Sequence, residues 1–126
     1  MYLLINDSII PAFIALVKKD KILAVVKRKK TESILFEIVK ITKKSDFNWN
    51  YLKGIIIFSD STSFTQTRLI ITIANVFGEF FNISRSFTIT KENIKLEKLI
   101  NQGIKKLKNK LIFPVYSKKP NITNRK

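Results

Sequence analysis

The stretch Ile55–Phe81, IIIFSDSTSFTQTRLIITIANVFGEFF, decides the fold. Ile55-Ile56-Ile57-Phe58 is apolar without alternation, the pattern of a strand covered on both faces. A short polar loop follows. With Thr65 or Ser63 as its cap, a helix then runs to about Phe81. Leu69, Ile70, Ile73, Ala74, Phe77, Phe80 and Phe81 give this helix a broad apolar face. A buried strand, a turn and a packed helix are the unit that sets a loop at the carboxyl end of a parallel strand. This helix also has apolar residues to spare. Ile71, Val76 and Phe80 lie off the Ile70–Ile73–Phe77 line, and such a surplus predicts a partner-binding face.

Upstream, three apolar runs joined by short turns predict an antiparallel meander: Tyr2–Ile5, Ala12–Val17 and Ile22–Lys27. Thr31 is the expected cap of a first helix starting near Glu32. Ile34, Leu35, Ile38, Val39 and Ile41 share its predicted apolar face. Trp49 and Tyr51 flank a turn and are expected to seal one end of the core. Downstream, Arg85–Ile89 reads as a fifth strand. Glu92–Lys110 reads as a third, basic helix with Ile94, Leu96, Leu99, Ile100, Ile104 and Leu107 as its stripe. The order β-β-β-α-β-α-β-α predicts an α/β fold of ribonuclease H-like plan, the half-unit of the actin-like ATPases, with a mixed sheet and right-handed crossovers. One domain over residues 1–111 is expected, with 112–126 as an extended strap and basic tail carrying two prolines.

Composition narrows the chemistry. The 126 residues contain no Cys and no His, which removes disulfides, thiolate metal sites and the commonest general base. The nine carboxylates are what remains for acid–base or metal work. No apolar run approaches the roughly 20 residues of a membrane span, and the start lacks the basic region of a signal peptide. A cytoplasmic protein without a membrane role is expected. The net charge of +15 suits a polyanion such as RNA. It also has a compositional source, because Ile, Lys, Asn and Phe crowd the chain as in an AT-rich genome. Lys outnumbers Arg 20 to 4, whereas phosphate recognition favours the planar Arg fork.

Four short segments resemble the TsaB (YeaZ) family. Leu4-Ile5-Asn6-Asp7-Ser8 and Phe13-Ile14-Ala15-Leu16 are similar to its AIDTS-like and SVAL-like openings. Ser63, Phe64, Thr65 and Arg68 match its GPGSFTGLRIG hallmark, and Pro114-Val115-Tyr116-Ser117-Lys118-Lys119-Pro120 resembles its PxYLRxPD-like ending. The resemblance covers residues 2–83 and part of 112–122. It implies a non-catalytic subunit that dimerises with a TsaD-type enzyme during formation of N6-threonylcarbamoyladenosine in tRNA. Full-length members are almost twice as long, and their second actin-like domain is expected to be missing here.

The departures carry information too. Asp60, Thr62, Gln66 and Ile70 stand where the hallmark has glycines, so close backbone approach to a phosphate is not expected and no cofactor is predicted. In the family, the first two helices build the bundle with TsaD. Ile34, Ile38, Ile41, Ile70, Ile71, Ala74 and Phe77 are therefore the expected interface, for TsaD or for a homodimer when the partner is missing. Arg68 is expected either to contact a partner or to pair with Asp60 or Glu79, and Phe64 to plug the core beneath the loop.

Two other readings follow from the residues. Lys105, Lys106, Lys108 and Lys110 would give tRNA phosphate contacts, making the chain a basic RNA-binding module. Asp7, Glu37 and Asp60 stand at sequence positions suited to a ribonuclease H-type two-metal nuclease.

Overall fold

The computed structural model describes residues 1–7, 12–18, 21–28, 33–43, 48–59, 64–89 and 95–113, without the side chains of Phe64 and Leu96. Five strands form one sheet: β1 (Tyr2–Asp7), β2 (Phe13–Lys18), β3 (Lys21–Lys27), β4 (Gly54–Ser59) and β5 (Ser84–Ile89). Its order is β3-β2-β1-β4-β5. The first three strands are antiparallel neighbours, while β4 runs parallel to both β1 and β5. Three helices complete the expected order: α1 (Ile34–Lys43), α2 (Phe64–Phe81) and α3 (Leu96–Lys105).

Alternation along β1 and β4 splits the core into two layers. Leu3, Ile5, Ile55 and Ile57 meet Ile34, Ile38 and Ile41 of α1 and Ile70, Ile71 and Ala74 of α2. On the other face, Leu4, Ile56 and Phe58 meet Leu99 and Ile100 of α3. β4 is buried at every position, as its unbroken apolar run requires.

Three expectations about the helices need correction. The described part of α1 begins at Ile34, and Ser33 is its cap, its hydroxyl accepting the Phe36 amide hydrogen at 3.1 Å. Thr31 and Glu32 lie outside the described residues. Ser33→Ala is expected to cost about 1 kcal/mol, seen as a melting point lower by roughly 4 °C. The buried stripe of α1 is Ile34, Glu37, Ile38 and Ile41, while Leu35 and Val39 face outward. Glu37 takes a core position because Arg28 neutralises it at 2.9 Å.

α3 ends at Lys105, five residues before the sequence reading. The segment past it finds better partners than a further helical turn. Lys108 forms an antiparallel bridge with Arg85, with N···O distances of 2.8 and 3.0 Å. Lys108 and Lys110 therefore lie beyond the helix, on an extended strap described over residues 107–113. The strap carries the chain from the α3 face, round the β5 edge, to α2 on the opposite face. There Ile112 packs against the first core layer.

The aromatic end is built as expected from Trp49, which leads a 3-10 turn (Trp49–Tyr51). Its ring stacks on Phe77 at 4.7 Å and on Phe81 at 4.9 Å. Tyr51 is exposed and takes no part in the seal.

Candidate docking surface

α2 buries one side and leaves the other open. Its inner stripe, Ile70, Ile71, Ala74 and the close-packed Gly78, lies on the sheet. Its outer stripe carries Leu69, Thr72, Val76 and Phe80, with Val76 59% and Phe80 79% exposed. The Phe80 ring meets Phe81 edge-on at 4.8 Å. Phe81 in turn belongs to the Trp49 stack, so the exposed ring stands on a rigid aromatic base.

The strap widens this surface. The Asn75 side chain grips the Ile112 backbone twice: Nδ2 donates to its carbonyl at 2.8 Å, and Oδ1 accepts its amide hydrogen at 2.9 Å. Leu111 and Phe113, on either side of that grip, stay exposed. Thr72, Asn75, Val76, Glu79, Phe80 and Leu111 line a shallow open groove of about 570 Å³.

Arg85 holds the arrangement together from beneath. It is fully buried, on the α2 side of β5. Nε donates to the Ile83 carbonyl at 3.1 Å, and Nη1 to the Asn75 carbonyl and Oδ1 at 3.3 and 3.4 Å. Nη2 donates to Glu79 Oε2 at 2.8 Å and to Asn109 Oδ1 at 3.0 Å. One guanidinium thus joins β5, α2 and the strap. Asn109 also donates to the side chain of Asn82, which ends α2 in the left-handed conformation at φ 58°. The Ile83 amide returns to the Gly78 carbonyl at 2.8 Å, closing the helix with a Schellman turn.

The candidate interface residues from the sequence fall mostly inside. Ile34, Ile38, Ile41, Ile70, Ile71 and Ala74 are buried in the core and present no surface to a partner; Phe77 is half-buried against Trp49. A helix packed on a sheet spends its strongest apolar stripe on the sheet. The outward apolar residues are Leu35, Phe36 and Val39 on α1, and Leu69, Val76 and Phe80 on α2. On α1, the Lys40 ammonium lies 5.1 Å from the centre of the Phe36 ring and screens it. The edge strand β3 also exposes Ile22, Leu23 and Val25, between Lys21 and Lys27. Lysines beside an edge strand discourage pairing with another chain. On α2 the outward apolar residues continue into Leu111 across the groove, and Phe80 is 79% exposed, the most among the described large apolar residues.

Of the hallmark residues, Thr65 and Arg68 are exposed on the first turns of α2. Arg68 does not hold Glu79, whose cation is Arg85. Ser63, Asp60 and the Phe64 side chain lie outside the described residues. The helix start is tied down at Thr67, whose buried hydroxyl lies 3.3 Å from that of Ser59 at the end of β4. Asp7 closes β1 and Glu37 is engaged by Arg28, while the third residue of the nuclease reading, Asp60, is outside the described residues. Among the described residues, no three carboxylates are grouped to hold a metal ion. Lys105, Lys106, Lys108 and Lys110 are all exposed, on the α3 side and the β5 edge.

Arg85, Asn75 and Asn109 escaped the sequence reading. The available signal was Gly78, a helix-weakening residue in the last turn of an apolar helix, which marks close approach by another group.

No protein-family model matches the chain, and no curated protein matches it. Among solved structures, YeaZ from Pseudomonas aeruginosa superposes with a TM-score of 0.57 at 12% identity. The match covers 68% of this chain and 42% of that one, so the chain spans less than half the length of its neighbour. At that identity the likeness is one of fold: the mixed five-stranded sheet with three helices has the actin-like, ribonuclease H-like plan. Among the described residues, no helix is long and apolar enough to cross a membrane.

Proposed function

We propose that the chain is a non-catalytic, TsaB-like docking subunit that supports a TsaD-type enzyme in tRNA N6-threonylcarbamoyladenosine formation. The observation that carries this reading is the open apolar face of α2, continued by Leu111 and Phe113. The YeaZ-like fold and the SFTxxR residues at the start of α2 support it. Phe80 is the anchor: a large ring, pre-positioned by Phe81, loses little conformational freedom when it enters a partner's pocket. Val76 and Leu69 extend the contact along the helix. The strap contributes Leu111 from the other side of the groove. The chain supplies surface and rigidity, and the chemistry belongs to the partner.

The test is co-purification with the TsaD-type protein of the same organism. A stable complex is expected, and Phe80→Glu or Val76→Glu should weaken it at least tenfold, since each sets an unpaired charge in an apolar contact. Both side chains point to solvent in the free chain, so circular dichroism should be unchanged. Ile70→Glu would unfold the core and is the wrong probe. Absence of a complex, or full binding by both variants, overturns the reading.

A further inference from the structure

Charge is unevenly placed along the chain: residues 18–30 and 95–110 are strongly basic, while α2 is nearly neutral. Residues 95–110 hold six lysines, Lys95, Lys98, Lys105, Lys106, Lys108 and Lys110, against one carboxylate, Glu97. α2 holds one cation and one carboxylate, Arg68 and Glu79. Lysine from a biased genome would fall on both helices alike. All six lysines are exposed, and among the described residues none is paired with a carboxylate. Only Lys105 and Lys106 stand where the negative end of the helix dipole would hold a cation.

The lysines also stand on fixed backbone. Leu99 and Ile100 bury the inner stripe of α3, and Gly103 packs directly on the Ile56 side chain. Lys98, Asn101 and Lys105 then share the outer stripe at helical spacing, with Lys98 and Lys105 about 10 Å apart along the axis. Lys106 caps the helix, and Lys108 is held by its bridge to Arg85.

We infer that the outer side of α3 and the first part of the strap bind the phosphate backbone of a nucleic-acid duplex without sequence choice. A membrane-surface helix needs a free apolar face, and that of α3 is spent on the sheet. Single-strand binding needs exposed aromatic rings to stack bases, and residues 95–110 contain none. Lysine ammonium groups on a rigid stripe suit phosphate contacts, which position a duplex and give affinity without reading bases. The inference rests on charge placement alone and is independent of the docking reading. Together they describe an adaptor with protein on its α2 face and duplex on its α3 face.

The experiment is a salt titration of the full chain against a labelled RNA hairpin and a DNA duplex of the same sequence, by fluorescence anisotropy. Four to six phosphate contacts predict a log–log slope of about −3.6 to −5.4, a loss of roughly 150- to 1800-fold in affinity between 50 and 200 mM salt. Lys98→Glu/Lys105→Glu/Lys106→Glu/Lys108→Glu should lower affinity at 50 mM at least tenfold and flatten the slope. The milder Lys→Gln version at the same positions guards against misfolding and should lose part of the affinity. Lys18→Glu/Lys21→Glu/Lys27→Glu/Lys43→Glu changes net charge equally, from the opposite edge of the sheet and from α1, and should lose less than threefold. Equal losses in the two Glu sets, a salt-insensitive signal, or no binding at 50 mM overturn the inference. Equal affinity for both duplexes assigns the surface to phosphate in general; tighter RNA binding assigns it to A-form geometry.

Discussion

Gly78→Ala is expected to destabilise the chain by about 3 kcal/mol, although the same change in an open helix gains about 1 kcal/mol. The sign reverses because a methyl group at Gly78 would sit 2.2 Å from Arg85 Nε, 2.4 Å from Cδ and 2.5 Å from Cζ. A long side chain at the surface would step aside. Arg85 has no such room, because it is fully buried and donates five hydrogen bonds to four residues.

Arg85→Ala should cost a similar amount, about 3–4 kcal/mol, for a different reason. It opens a cavity and leaves the Ile83 carbonyl and Asn109 without their donor. The strap loses the Asn109 tie and keeps its backbone bridge at Lys108 and the Asn75 grip on Ile112, so it should loosen, and lose protection from proteolysis, before the core does. The two changes are coupled. With Arg85 gone, the methyl group at residue 78 meets empty space, and Gly78→Ala/Arg85→Ala should be no less stable than Arg85→Ala alone. Urea unfolding of the four proteins gives an interaction energy of about 3–4 kcal/mol under this account. Additive costs would show that Gly78 and Arg85 do not share the space.

The order of elements was legible because it depends on period and length, which a single sequence carries. The unbroken run Ile55–Phe58 gave a strand buried on both faces, and the helical spacing after it gave α2 to its last residue. The meander, too, was visible in three short apolar runs. Which stripe of each helix faces the sheet was less legible. Ile34, Ile38 and Ile41 differ from Leu35 and Val39 by burial, not by chemistry, and only the packing on β2 and β3 separates them. The same ambiguity sent the expected interface into the core.

Two kinds of residue misled for physical reasons. The burial of Arg85 in a strand and Glu37 in a helix carries no sequence signal, since charges are seldom fully buried unless paired. Their partners, Glu79 and Arg28, lie six and nine residues away, and pairing depends on tertiary placement. The end of α3 was likewise set from outside the helix, by the Arg85–Lys108 bridge and by Asn109, which gives its side chain to Arg85 and Asn82. A polar residue with partners off the helix ends it sooner than propensity alone requires.

Arg28→Met should destabilise the chain by about 3 kcal/mol, because it takes the Arg28 cation away from a fully buried carboxylate. The Arg28 Nε to Glu37 Oε1 contact at 2.9 Å joins the end of β3 to the core side of α1. The pair is asymmetric: the Arg28 side chain keeps 9% of its surface in solvent, and Glu37 keeps none. Glu37→Gln strands a cation that can turn outward and should cost only about 1–2 kcal/mol. Replacing both, as Arg28→Met/Glu37→Leu, removes the desolvation penalty together with the attraction, and stability should return to within about 1 kcal/mol of the parent. Denaturation at 0.05 and 0.5 M salt adds a second reading. A buried pair is little screened, so the Arg28→Met deficit should persist at high salt, unlike the duplex affinity of the α3 lysines. A deficit that vanishes with salt, or a double variant as unstable as Arg28→Met, would show that the contact is a surface attraction and that α1 is held to the sheet by Ile34, Ile38 and Ile41 alone.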